Sequence, residues 1–296
     1  MKVKGLSVGV VGWWFAAVGF AEEPTKVKPP IDGIRDNSFL IEEAYNQEPG
    51  VVQHIWTARF GADHRGDANA RTWDLSFTQE WPVFSQTHQF SFVVPYSFID
   101  ENAENVSGIG DLELNYRYQL FMDEGGLPAV SPRFTLILPT GDEDRGFGTG
   151  EVGYSFNLPI SKTISDRMYV NFNAGLTVTP GVQARLSDDR RSRELDLLDY
   201  AVGASVIYAL TEKFHVVLEA VWESVESIEE FDPRGRRPPR GRRGRHDEVT
   251  IAPGFRWAWD LPGDLQLVPG MAFPIGLTEE SIDYGVFLYF SVEHPF

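Results

Sequence analysis

The sequence predicts an all-β fold: a transmembrane antiparallel up-and-down β-barrel of about 12 strands, with short periplasmic turns and longer extracellular loops. Three observations lead there. Apolar and polar residues alternate with period two through most of the chain, no internal segment is long and apolar enough to span a bilayer as a helix, and short connections alternate with long ones. The stretch from Gly108 to Gly150 shows the pattern best. Leu112, Leu114, Tyr116, Tyr118 and Leu120 share one face of an extended segment, while Asp111, Glu113, Asn115, Arg117 and Gln119 share the other. A soluble sandwich would hide the apolar face against a second sheet. A membrane barrel shows it to lipid and keeps the charges facing water inside.

At the N-terminus, Lys2 and Lys4 precede an apolar run from Leu6 to Phe20, and Gly19-Phe20-Ala21 supplies small residues just before Glu22 and Glu23. This is the pattern of a cleaved secretory signal over residues 1–21. It fits a Gram-negative bacterial protein bound for the outer membrane. Residues 1–21 hold two lysines and no acid, so cleavage moves the net charge from −17 to −19. Such acidity argues against nucleic acid as a partner. The absence of cysteine removes disulfide and thiolate chemistry. Residues 22–50 are expected to be a periplasmic N-terminal segment or plug, with a Pro-rich lead-in over 22–35. Asp36-Asn37-Ser38 can cap a short helix through Phe39, Leu40, Ile41 and Tyr45, ended by Pro49-Gly50. An extra strand is the competing reading.

The barrel proper is expected over residues 51–296. Val52, His54, Trp56, Ala58 and Phe60 alternate with Gln53, Thr57 and Arg59. Trp73, Leu75, Phe77 and Trp81 oppose Asp74, Ser76, Thr78 and Glu80, and Phe90 to Phe98 continue the pattern. Beyond the central hairpin, further strands center on Tyr154, Phe172, Val206, Leu218, Ile251, Leu267 and Leu288. Connections near 82–87, 122–128, 165–167, 211–213 and 260–263 are short. Those at 62–70, 99–107, 140–150, 180–197, 227–246 and 276–283 are longer and polar, which is the asymmetry of an outer-membrane barrel.

The tryptophans predict aromatic girdles. Trp73 and Trp81 lie eight residues apart on one outward face. At about 3.4 Å per residue and a tilt near 40°, that separation is roughly 21 Å along the membrane normal. Trp222 falls near a long-loop end, and Trp257 and Trp259 near a short-turn end.

Inward positions carry Arg59, Asp74, Glu80, Asp111, Glu113, Arg117, Arg133, Glu151, His215, Glu219, Glu223, Glu248 and Arg256, the candidate lumen lining. Charges of both signs there give a transverse field suited to polar or zwitterionic solutes, while any barrel interior must be polar for packing reasons alone. The segment from Asp232 to His246 is set apart from an otherwise acidic chain. It holds Arg234, Arg236, Arg237, Arg240, Arg242, Arg243 and Arg245 with no acid among them. Such a loop can hold anionic groups, including lipopolysaccharide phosphates, through guanidinium forks. It can also fold back as a gate onto Glu219, Glu223, Glu226, Glu229 and Glu230, or simply be solvated. Catalysis finds no support: His54, His88 and His294 face outward without a serine and orienting group at plausible spacing. The six histidines lack metal-ligand spacing, and Asp142, Glu143 and Asp144 are ordinary loop acids. No cofactor motif is present.

The pieces Gly108-Ile109-Gly110-Asp111-Leu112, Leu136 to Asp142, Gly148-Thr149-Gly150 and the aromatic last strand resemble the outer-membrane transporter family named for the MetA pathway of phenol degradation. The likeness covers about residues 38 to 296, through short motifs that specify turns and strand ends. It implies passive passage of small molecules, aromatic or hydrophobic ones among them. The terminal Phe296 resembles the signal that barrel-assembly machinery reads. Expected partners are therefore outer-membrane lipid and lipopolysaccharide, that machinery and a small-molecule solute. The alternative expectation is a closed barrel whose extracellular loops, chiefly 232–246, bind an anionic surface ligand or partner without transport.

Overall fold

Strand after strand puts apolar side chains on one face and polar ones on the other, and in the computed structural model these strands close on themselves. The structure describes residues 33–296 except 35, 37, 64–69, 102–103, 186–191 and 232–239. The expected signal peptide lies outside the described residues. Twelve staves make the wall. They are β1 (Val51–Asp63), β2 (Ala70–Val83), β3 (Ser85–Glu101), β4 (Glu104–Ile109 and Leu112–Tyr118), β5 (Ala129–Val130 and Arg133–Leu138) and β6 (Gly153–Asn157 and Ile160–Ser165). The second half is β7 (Met168–Arg185), β8 (Ser192–Thr211), β9 (Phe214–Phe231), β10 (Arg240–Trp257 and Trp259–Leu261), β11 (Leu265–Ala272 and Ile275–Gly276) and β12 (Tyr284–Pro295). Each pairs antiparallel with its chain neighbours. β1 also pairs with β12, from Val51↔Pro295 to Ala62↔Tyr284, so no edge is left open. Three of the breaks within staves fall at Pro132, Pro159 and Pro274, residues with no N–H for the ladder.

The burial pattern decides which way the wall faces. The exposed set is apolar: Trp56 (43 %), Phe156 (55 %) and Leu218 (54 %) point outward. The largest fully buried side chains are mostly polar, with Arg256, His215, Gln53, Glu219 and Asn115 among them. A soluble sandwich would show the reverse. Outward rings pack in cross-strand pairs, Phe60 on Trp73 at 5.1 Å and Trp56 on Phe77 at 5.3 Å between centroids, giving lipid a continuous aromatic surface.

Two expectations are corrected. Residues 38–45 form neither a helix nor a thirteenth strand but an irregular segment. The long extracellular connections are also shorter than the sequence suggests. The 99–107 stretch is mostly paired, with Ile99↔Val106 and Asp100↔Asn105, and β9 and β10 stay in register out to Phe231↔Arg240. Beyond the bilayer, water bathes both faces of a hairpin. The backbone ladder then persists without the apolar alternation that reveals it in a sequence.

Candidate functional site

The lumen is built around the described part of the N-terminal segment, Gly33 to Gly50. A helix would satisfy this segment's amides internally, but here inward side chains of the wall do so. The Glu219 carboxylate accepts the N–H groups of Phe39, Leu40 and Ile41 at 3.1, 2.9 and 3.2 Å, and the Ser38 hydroxyl at 2.5 Å. The N–H of Glu42 goes to Asn173, that of Ala44 to Ser161, that of Asn46 to Gln119 and that of Gln47 to Gln89. These bonds override the Asp36-Asn37-Ser38 capping signal. The donors are spent on β3, β6, β7, β9 and the residue just past the end of β4, so no intrahelical ladder forms.

Apolar contacts seat the segment further. A Cβ on Gly254 or Gly270 would lie 2.7 or 2.6 Å from the Phe39 ring, and one on Gly203 would meet Ile41 at 2.1 Å. Glycines on the inward face of β8, β10 and β11 therefore open notches for these side chains. Phe39 then packs edge-on to Tyr289 across a 6.0 Å centroid distance.

Charge is paired around the same segment. Arg256, fully buried, donates to the Asp36 carbonyl at 2.8 Å, to the Glu43 carboxylate at 3.1 Å and to the Tyr169 hydroxyl. Arg117 donates to the side chain of Asn46 and the carbonyls of Glu43 and Tyr45, and Arg133 meets Glu42 at 2.6 Å. The Asp36 carboxylate takes hydrogen bonds from Gln53 on β1 and from Tyr289 and Ser291 on β12. Glu43 stands outside the spanning strands. Burial pushes its carboxyl up to about 7, against the attraction of Arg256 and with the repulsion of Asp36.

Four of the sequence-predicted lumen residues, Arg117, Arg133, Glu219 and Arg256, thus converge on this segment. Glu80 joins the same belt through Gln89. Asp111 is spent on the β5–β6 connection, accepting from the backbone of Gly141 and Thr149. Nearer the extracellular end, Asp74 accepts from Ser97 and sits opposite Arg59, and Glu223 sits opposite Glu248. Glu113 lies one inward position above Asn115, and Glu151 lies in the β5–β6 connection. His215 is buried beside Tyr169. Above the seated segment a cavity of about 310 Å³ is lined by charged and apolar side chains together, Ile41, Glu42, Arg133, Asn173, Val221 and Glu223 among them.

Trp73, Trp222 and Trp259 are exposed on the outer face, with Trp81 and Trp257 half-buried among neighbouring rings. Phe296 is exposed and donates its N–H to the Gly50 carbonyl. Of the basic stretch, Arg234, Arg236 and Arg237 lie outside the described residues, as do the side chains of Arg240, Arg242 and Arg243. Arg245 pairs with Glu226 at 3.0 Å and stacks over Tyr200. Among the described residues no cluster of His, Cys, Asp and Glu could hold a metal ion.

The residues that sequence reasoning passed over as site candidates are Asp36, Glu42, Glu43, Asn46, Tyr169 and Asn173. A signal for them existed. Glycine inside a strand marks close approach of another chain segment, and Gly203, Gly254 and Gly270 all fall on the inward face.

A closed twelve-stranded antiparallel barrel with a polar interior is the architecture of outer-membrane channels and porins. The chain is similar to the COG4313 outer membrane channel from Pseudomonas putida F1, with a TM-score of 0.61, 12% identity, and coverage of 86% of this chain and 98% of that one. It is also similar to the KdgM porin in complex with disordered oligogalacturonate, with a TM-score of 0.47, 10% identity, and coverage of 83% and 99%. No curated protein matches it. The model of the family described as "Putative MetA-pathway of phenol degradation" matches residues 45–273, and the chain belongs to that family.

Proposed function

We propose that the protein is an outer-membrane channel for passive passage of small molecules, and that the segment 36–47 is a plug seated in the periplasmic half of its lumen. The observation that carries the reading is the way this segment is held. Seven of its backbone N–H groups, those of residues 39, 40, 41, 42, 44, 46 and 47, go to side chains of the wall rather than to its own carbonyls. Polar side-chain contacts of this kind can be exchanged for water when the segment leaves, which a covalent or purely apolar closure would not allow. The cavity above it mixes charged and apolar side chains and has room for a small solute. Aromatic solutes are suggested by the family name alone.

The alternative, a closed barrel that binds an anionic ligand through its basic loop, draws less support. β9 and β10 set Glu226 opposite Arg245, and the two pair at 3.0 Å, so that arginine already has a counter-charge on the neighbouring strand. The test is single-channel conductance of the purified full chain in planar bilayers. Discrete openings that become larger or more frequent when the plug is unlatched support the reading. Silent bilayers for both the wild type and an unlatched variant overturn it.

A further inference from the structure

The short stretches that carry the family resemblance lie apart in the sequence, and the structure brings three of them to one spot on the inner wall. Gly108 faces the lumen, since it pairs with Ser97, whose hydroxyl donates to the inward Asp74. A Cβ on Gly108 would lie 2.5 Å from the ring of Phe147, and one on Gly141 would lie 2.0 Å from the Phe147 carbonyl. One on Gly148 would lie 2.4 Å from the Asp111 carboxylate. Phe147 belongs to the β5–β6 connection and is buried. That connection therefore does not stand up from the rim. It turns back into the barrel and lies over β3 and β4.

Both of its ends are tied to one carboxylate. Asp111 Oδ1 accepts the Gly141 N–H at 2.9 Å, and Oδ2 accepts the Thr149 N–H at 3.2 Å. Thr140 Oγ1 accepts the Leu112 N–H at 2.9 Å and donates to the Gly110 carbonyl. At the tip, Arg145 donates to the Ser107 carbonyl and covers the Phe147 ring at 5.5 Å.

Resting on the channel reading, we propose that this inward-folded connection is the extracellular constriction of the pore, and that Asp111 is the positioning residue that sets its bore. A twelve-stranded barrel has a narrow interior, and a loop with a phenylalanine laid against one wall takes a large share of the cross-section. A solute crossing the pore passes between this loop and the opposite wall before it reaches the cavity above the plug. The two obstructions have separate anchors, Asp111 for one and Glu219 for the other. The size limit set by the loop therefore persists after the plug has left.

Full-length wild type, Asp111→Ala and Phe147→Ala, each alone and combined with the plug-unlatching Glu219→Ala, are reconstituted for conductance and for liposome swelling with neutral sugars of increasing size. Asp111→Ala and Phe147→Ala each raise conductance by roughly twofold and admit larger sugars, in both backgrounds. Should either substitution hinder folding, Gly108→Cys with Phe147→Cys supplies an independent reading. The Phe147 Cγ stands 3.0 Å from the place of a Gly108 Cβ, so oxidation pins the loop and reduction frees it in the same molecule. Conductance that rises on reduction and falls on reoxidation supports the proposal. Conductance and sugar cut-off unchanged in all these forms, while Glu219→Ala still conducts, overturn the loop assignment and leave the channel reading standing. If no form conducts, the channel reading falls and takes the assignment with it.

Discussion

Replacing Glu219 by alanine should release the N-terminal segment. This carboxylate takes four hydrogen bonds from Ser38, Phe39, Leu40 and Ile41. Hydrogen bonds to a charged group contribute roughly 1.5–3 kcal/mol each, so the gross interaction is about 6–12 kcal/mol. Keeping that carboxylate fully buried costs several kcal/mol, and a freed segment regains its bonds with water. The difference is about 2–4 kcal/mol, a rise of roughly 30- to 1,000-fold in the unseated population. Glu219→Gln should fall between. One oxygen can still serve Ser38, Phe39 and Ile41, but an amide then faces the Leu40 N–H. The assay exploits the absence of cysteine from the chain. Ala44→Cys places one thiol where the structure is fully buried, and its labelling rate reports the unseated fraction. A labelling rate in Glu219→Ala within about threefold of the parent, with the barrel folded, would refute the latch.

Other outcomes follow from the same geometry. Glu43 titrates near 7 when seated but at the ordinary 4.5 when free, so the seated form holds more protons between these values. Seating is therefore strongest below about 4.5 and weakens as pH rises to about 7, by about 3 kcal/mol in all. Ala44→Cys labelling should accelerate from pH 5 to 8, and Glu43→Gln should flatten the profile. Gly254→Ala should cost about 1–3 kcal/mol in urea unfolding, because its Cβ would meet the Met271 carbonyl at 2.7 Å, whereas the hard overlap at Gly203→Ala is with the Ile41 side-chain end and not with backbone, and should cost less. The inward acids Asp74, Glu113, Glu223 and Glu248 outnumber Arg59 and Arg133 above the plug, so the open pore should prefer cations. Reversal potentials in a salt gradient measure this, and Glu223→Gln with Glu248→Gln should reduce the preference.

The wall was legible in the sequence because lipid imposes a strict rule on it. Trp56, Phe77 and Leu218 must face out and Gln53, Glu219 and Arg256 in, and period-two alternation records that demand residue by residue. What fills the wall was not. Residues 38–45 carry a capping signal and spaced apolar residues that suit a helix, and only acceptors scattered around the distant wall override it. Asp111 could be assigned to the inward face, but its bonds to Gly141 and Thr149 cross a loop whose direction no local pattern encodes. Of the basic stretch, Arg245 meets Glu226 on the neighbouring strand, one of the acids the sequence offered it, and that pairing is set by hairpin register.

Asp36 has a consequence for how the cylinder is made. Its carboxylate is gripped by Gln53 from the first stave and by Tyr289 and Ser291 from the last, so it acts as a clasp across the seam where the sheet meets itself. The clasp cannot fasten until the C-terminal stave is home, which makes docking of the N-terminal segment a late event in assembly. Once fastened, it resists any sideways parting of that seam. A solute leaving by this route into the bilayer would first have to undo it.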